Sequence, residues 1–180
     1  MSMHHIIGNL LESDCDYICH QVNCQGKMNS GIAKSIREKW PVVYNNYIIK
    51  CNQAEEDAVT LYGGYEMAPC GSDILLGNIQ IIDIYEHNVM PEFKQYVINM
   101  FAQQYYGYDS HRYTSYDAFW NCLHLIKNDV PKGSRIAFPG YIGCVRGGAN
   151  WNVIKNMIEV VLGEDYEVTI YYLEEENEKK

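Results

Sequence analysis

Hydrophobic residues fall along this chain in short runs that switch between a two-residue and a 3.6-residue period. "HHIIGN", residues 4–9, is a short apolar run that stops at Gly8-Asn9. "YICHQVN", residues 17–23, predicts a strand covered on both faces. From Ile32 to Trp40 the sequence "IAKSIREKW" puts Ile32, Ile36 and Trp40 on one stripe, and Pro41 marks the end of that helix. "VVYNNYIIKCNQ" predicts a second amphipathic helix. "DILLGNIQIIDIYEHN" reads as a hairpin turning at "LGN", and "KQYVINMFAQ" reads as a further strand.

The second half repeats the alternation. "RYTSYDAFWNCLHLIKND" predicts a helix with Thr114 as N-cap, Asp117 three residues on, and Phe119, Leu123 and Ile126 as its buried face. "SRIAFPG" is a strand, "NWNVIKNMIEVVLG" a helix closed by Gly163, and "YEVTIYYL" the last strand. Strands separated by helices of about 10–15 residues predict an α/β layered sandwich with a largely parallel or mixed sheet. No repeat and no Pro/Gly/Ser-rich linker divides the chain. Residues 1–173 therefore read as one domain and 174–180 as an acidic, solvated tail.

Composition narrows the function. At 180 residues and 47% hydrophobic, the chain has room for one real core. No run approaches the roughly 18 apolar residues that span a bilayer, and no secretory leader pattern opens the chain, so the expected location is the cytoplasm, without a membrane partner. Seven cysteines lack any C-x-x-C spacing, which speaks against a disulfide framework or a zinc site and for small packing thiols at Cys15, Cys19 and Cys122. His4 and His5 form a lone adjacent pair, and no metal site is expected. The net charge of −9 disfavours bulk nucleic-acid binding, which relies on cationic side chains meeting phosphates. Tyrosine pairs at 105–106 and 171–172 could line a ring-stacking pocket, although half-buried packing is the default for such residues.

Two loops carry the candidate chemistry. Asn23 to Gly31 leads from a central strand into a helix, and Phe138 to Trp151, "FPGYIGCVRGGANW", does the same later. In an open α/β sheet ligands sit outside the carboxyl ends of the strands, and helix N-termini there offer unpaired N–H groups to anions. Gly140, Gly143, Gly147 and Gly148 allow sharp turns and close approach, and Lys27 and Arg146 are local cations. The Walker and G-x-G-x-x-G patterns are absent. From pattern alone, either loop serves equally well as a tight αβ connection.

"VNCQGKMNSGIAKSI" resembles the first ligand loop of macro domains, in the branch reading V-N-C-x-G-x-M-G-x-G-I-A, and "FPGYIGCVRGGANW" resembles their second loop, which often reads I-G-C-G-L-x-G-G-D-W. The likeness covers most of the chain. It implies a three-layer α/β/α sandwich with a central mixed, largely parallel sheet, and ADP-ribose as ligand without a cofactor. By position, Asn9 stands where the family usually has an adenine-contacting aspartate, and its neighbours Gly8 and Leu10 are expected to bind ADP-ribose with it. Asn23 matches an asparagine that contacts the distal ribose. Lys27, Met28, Asn29, Ser30, Gly31 and Ile32 would wrap the diphosphate from one side. Pro139, Ile142, Gly143, Cys144, Val145, Arg146, Gly147 and Gly148 would close from the other, with Tyr171 and Leu173 near the adenine pocket.

The family includes readers, hydrolases that remove ADP-ribose from proteins or nucleic acids, deacetylases, and ADP-ribose 1''-phosphate phosphatases. One hydrolase branch uses a lysine in the strand aligned with "YVINMFAQ" and an acid in the second loop; here that strand has no lysine, and no Asp or Glu lies between Gly140 and Trp151. Ala33 stands where other branches carry a first-loop acid. His20 resembles a histidine of the yeast phosphatase members, and as nucleophile or acid–base it would be the catalytic residue, with Asn23 orienting the ribose. The alternative for His20 is an ordinary strand histidine touching backbone. Cys24 and Cys144 would need a lowered pKa to act as nucleophiles. Asn150 most simply caps the following helix. The expected activity is thus binding of ADP-ribose with phosphatase-type hydrolysis of ADP-ribose 1''-phosphate. The rivals are a binding module without catalysis and a hydrolase acting on an ADP-ribosylated macromolecule.

Overall fold

The computed structural model describes residues 3–63, 69–84 and 94–173. In chain order the elements are β1 (His4–Ile7), a 3-10 turn (Leu10–Glu12), β2 (Tyr17–Asn23), α1 (Gly31–Lys39), α2 (Pro41–Tyr62), α3 (Gly71–Leu75), β3 (Ile79–Asp83), β4 (Tyr96–Gln103), α4 (Tyr116–Asp129), β5 (Arg135–Pro139), α5 (Trp151–Leu162) and β6 (Glu167–Tyr172). The strands form one sheet in the order β1-β6-β5-β2-β4-β3, with every neighbouring pair parallel except β3 with β4. Helices on both faces make three layers, and the expected α/β/α sandwich with a mixed, mostly parallel sheet is what forms.

Strand alternation sorts the core into two halves. Cys19 of β2 with Ile98 and Met100 of β4 packs against Phe119 and Leu123 of α4 and Ile154 and Ile158 of α5. Ile18, Val22, Val97 and Phe101 point the other way, onto Ile36 of α1 and Val43 and Tyr47 of α2. β2 and β4 lie in the middle of the sheet and are covered on both sides, so that even their polar residues His20, Asn23 and Asn99 are buried. Among the described residues no helix is long and apolar enough to cross a membrane.

Two expectations fail locally. Residues 73–88 do not form a hairpin. Their first part belongs to α3, and β3 pairs instead with β4, while residues 85–88 lie outside the described residues. A capping box starts α3, with Asp73 Oδ2 accepting from Cys70 N at 2.9 Å. Gly71 lets that start press onto α2, since a Cβ there would come within 2.5 Å of Glu55 N. The N-cap of α4 is Ser115, not Thr114: Ser115 Oγ accepts from Ala118 N at 3.2 Å, while Thr114 is buried and turned elsewhere. Gly163 does close α5, its N–H donating to Glu159 O at 2.9 Å. The 174–180 tail lies outside the described residues.

Candidate functional site

The carboxyl ends of β2 and β5 are neighbours in the sheet, so the loops that follow them face each other across one cleft of about 270 Å³. The first loop is organised by Asn23. Its Oδ1 accepts from Gln25 N (2.9 Å) and Lys27 N (3.3 Å), and its Nδ2 donates to Lys27 O (2.7 Å). The Tyr47 hydroxyl reaches up from α2 to within 2.9 Å of the same Oδ1 and accepts from Lys27 N at 3.0 Å. Asn23 thus spends most of its hydrogen-bonding capacity on the loop. Met28 anchors the loop in the core and does not line the cleft. Gly31 opens α1 with φ at +56°, a conformation that favours glycine. Ser30, the N-cap, makes no side-chain cap. The first intrahelical bond is Lys34 N to Ser30 O, so the N–H groups of Gly31, Ile32 and Ala33 have no protein partner among the described residues. All three residues line the cleft.

The second loop is pinned from behind. Gly140 N donates to Tyr171 O (2.7 Å), and Tyr113 N and Thr114 N both donate to Gly147 O (2.9 Å each). Thr114 Oγ1 donates to Gly143 O at 2.7 Å. A side chain at Gly147 would strike Thr114 Oγ1 and the Gly143 carbonyl. With those carbonyls turned back, the N–H groups of Gly143, Val145, Arg146 and Gly147 are left without a protein partner among the described residues, all on cleft-lining residues. Tyr141 is held at φ +57° with its ring against Trp151 and Tyr172.

A third wall was not anticipated. Tyr106, Gly107 and Tyr108, in the segment after β4, also line the cleft, and the Arg146 guanidinium lies 4.8 Å from the centre of the Tyr108 ring. The tyrosine pair at 105–106 was the one sequence signal for it. Gln21, Val22, Ala33, Gln103, Gly140 and Tyr141 complete the lining beyond expectation. Of the expected set, Asn23, Lys27, Asn29, Ser30, Gly31 and Ile32 are there, as are Pro139, Ile142, Gly143, Cys144, Val145, Arg146 and Gly147. Gly148, with φ +69°, supports the loop from outside.

The residues expected at an adenine are not in this cleft. Asn9 caps the 3-10 turn, accepting from Leu11 N (3.1 Å) and donating to Glu12 Oε1 (3.2 Å). Leu10 is buried in the core, Gly8 N is paired to Tyr172 O, and Leu173 is exposed. Gly8, Asn9, Leu10, Tyr171 and Leu173 lie together at the ends of β1 and β6, on the side of β5 away from β2.

His20 is also elsewhere. Alternation turns it to the face opposite Gln21, under α2, where no part of it is exposed. Its Nε2 is 2.5 Å from Asn99 Oδ1, Asn99 Nδ2 donates to Gln80 Oε1 (3.1 Å), and Gln80 Nε2 donates to Asn46 O (3.0 Å). Burial lowers its pKa to about 4, against the opposing bond from Asn99, so the ring is neutral near pH 7. Burial also pushes the thiols of Cys24 and Cys144 up to about 12, so neither is a ready nucleophile. Among the described residues the cleft lining includes no Asp, Glu or His, and its formal charges there are Lys27 and Arg146. Asn150 caps α5, accepting from Asn152 N at 2.9 Å. No group of three or more His, Cys, Asp or Glu among the described residues is placed to hold a metal.

No family model matches the sequence, and no curated protein matches it. Solved structures do match in shape. A protein of unknown function from Bacteroides thetaiotaomicron is 23% identical with a TM-score of 0.72, over 96% of this chain and 99% of that one. The macrodomain of Mycobacterium tuberculosis DarG is 17% identical with a TM-score of 0.69, over 94% and 97%. Thermosipho africanus DarTG, solved in complex with ADP-ribose, is 18% identical with a TM-score of 0.69, over 96% of this chain and 42% of that one. Strand order, layers and these superpositions agree: the chain folds as a macrodomain.

Proposed function

We propose that the cleft binds ADP-ribose, with the pyrophosphate held between the start of α1 and the 143–147 turn. One observation carries this reading. Two sets of main-chain N–H groups without a protein partner among the described residues, at 31–33 and at 143 and 145–147, line a single cleft. Phosphate oxygens only accept hydrogen bonds, and a helix N-terminus adds partial positive charge. Such a site attracts an anion locally although the chain carries a net charge of −9. The complex of Thermosipho DarTG with ADP-ribose, on the same fold, supports the choice of nucleotide.

Between reader and enzyme, the geometry favours the reader. Hydrolysis of ADP-ribose 1''-phosphate through His20 requires an imidazole within reach of the phosphate, and His20 is enclosed on the other face of β2. The described residues of the lining offer no carboxylate to serve as base, and binding that is equal in ground and transition states gives no rate. Calorimetric titration with ADP-ribose tests the binding. Phosphate release from ADP-ribose 1''-phosphate, and ADP-ribose release from modified protein or nucleic acid, test the enzymatic alternatives. No heat of binding and no change in the amide signals of 31–33 and 143–147 at millimolar ADP-ribose overturns the proposal. Turnover that survives His20→Ala would instead point to a phosphate of the ligand as the base.

A further inference from the structure

The floor of the cleft carries a hydrogen-bond chain whose direction is fixed at both ends. Gln103 Nε2 donates to the Tyr105 carbonyl at 2.8 Å, and Thr114 Oγ1 donates to the Gly143 carbonyl at 2.7 Å. Carbonyl oxygens only accept. Gln103 must therefore turn its own Oε1 to Gln21, and Thr114, its one hydrogen spent, can only accept there. Gln21 Nε2 meets both, at 2.7 Å and 2.8 Å. Its two amide hydrogens are thereby committed, and Gln21 Oε1 is left buried with no partner.

The other amide oxygens lining the cleft are taken. Asn23 Oδ1 accepts from the 25 and 27 N–H groups, Asn29 Oδ1 from Arg37 (2.8 Å), and Gln103 Oε1 from Gln21. Among the amide oxygens of the described lining residues, Gln21 Oε1 alone still needs a donor. A buried acceptor without one is costly to maintain, and native structures rarely keep it without cause. It sits beneath Gly143, where any side chain would come within 2.6 Å of it and where φ is +73°. Contact between this atom and a ligand requires the bare main chain at Gly143 to move aside. The cleft is thus polarised: N–H donors on two walls suit phosphate oxygens, while an acceptor in the floor suits a hydroxyl.

Building on the ADP-ribose reading, we propose that Gln21 determines specificity for the sugar, its Oε1 accepting a hydrogen bond from a hydroxyl of the distal ribose. The phosphates alone do not use it. Selection of ADP-ribose over ADP then resides at this residue.

The test compares the two ligands on the wild-type protein and on Gln21→Met, which keeps the length of the side chain and removes the acceptor together with the two N–H groups that meet Gln103 and Thr114. Wild type should bind ADP-ribose at least about tenfold more tightly than ADP, and the variant should bring that ratio to within about threefold while ADP affinity changes less than about twofold. Equal losses for both ligands would make Gln21 a prop for the 143–147 turn and overturn the proposal, as would an unchanged ratio. If the variant does not fold, the Gln21 side-chain amide of the wild type provides the readout by NMR. It should shift with ADP-ribose and stay in place with ADP, and equal shifts or none overturn the assignment. A wild type that binds neither ligand sinks the ADP-ribose reading itself, whereas binding of both without preference sinks only the role of Gln21.

Discussion

The hydroxyl of Tyr47, on α2, lies 2.8 Å from the main-chain oxygen of Asn23 and 2.9 Å from its side-chain oxygen, tying the end of β2 to a helix residue 24 positions later. Both residues are buried. The pair fixes the first loop before any ligand arrives, so the N–H groups at the start of α1 need little rearrangement on binding.

Tyr47→Phe should therefore weaken both the fold and the grip. Loss of the hydroxyl leaves Lys27 N and two oxygens of Asn23 short of a partner, a cost of about 1–3 kcal/mol in urea unfolding. ADP-ribose affinity should fall about three- to tenfold as the loop loosens. A variant as stable and as tight as wild type would show the first loop to be held by Asn23 alone.

Gly147→Ala should act on the second loop. The added methyl meets Thr114 Oγ1 and the Gly143 carbonyl, and forcing a methyl into a packed place costs about 1–3 kcal/mol. The turn must move, and ADP-ribose affinity should drop by more than about tenfold. Val145→Ala, at an exposed side chain, should change affinity less than about twofold. Equal effects of the two substitutions in calorimetry would contradict recognition by main-chain amides.

Acid should unfold the protein partly through His20. Its imidazole titrates at about 4 in the folded chain and at 6.5 when unfolded, because burial disfavours the cation. Between those values the unfolded chain binds the extra proton, so stability is complete above about pH 6.5 and falls as pH drops toward 4, by on the order of 3 kcal/mol. NMR titration of the ring should show no midpoint above pH 5. A midpoint near 6.5 would mean that the ring is reached by water.

The thiols should react unevenly. Cys24 and Cys144 are raised to about 12, and Cys15, Cys19, Cys51 and Cys122 are buried, whereas Cys70 is exposed. Brief alkylation of the native protein at pH 7.5, read by mass spectrometry, should label Cys70 first. Prompt labelling of Cys144 would place a reactive thiol in the cleft.

Much of the fold is legible because strands such as β2 and β4, rich in β-branched and aromatic residues, alternate with amphipathic helices. The five-residue α3 is not, since it is too short to show a period and is started by Cys70 with Asp73. Thr114 and Ser115 both satisfy the rule for an N-cap, and the choice is made by Gly143, 29 residues further on, which takes the Thr114 hydroxyl. Both cleft loops can be read from their glycines. The Tyr106–Tyr108 wall has no period to announce it, and its place follows from the pairing of β2 with β4, which brings Cys24 N to Gln104 O. The strand position of His20 is legible, but its fate rests on which face of β2 it takes, with Asn99 waiting on the next strand.

A contact made through main-chain N–H groups displays nothing that mutation can simply remove. Val145 and Arg146 can be exchanged for many other residues and still present the same N–H groups, provided the chain stays bare at 143 and 147. Most letters in that stretch are free to drift, and the constraint rests on missing side chains instead of on particular ones. A cleft built this way can keep its shape while its spelling wanders, which suits a fold shared by structures only 17% and 23% identical to this chain.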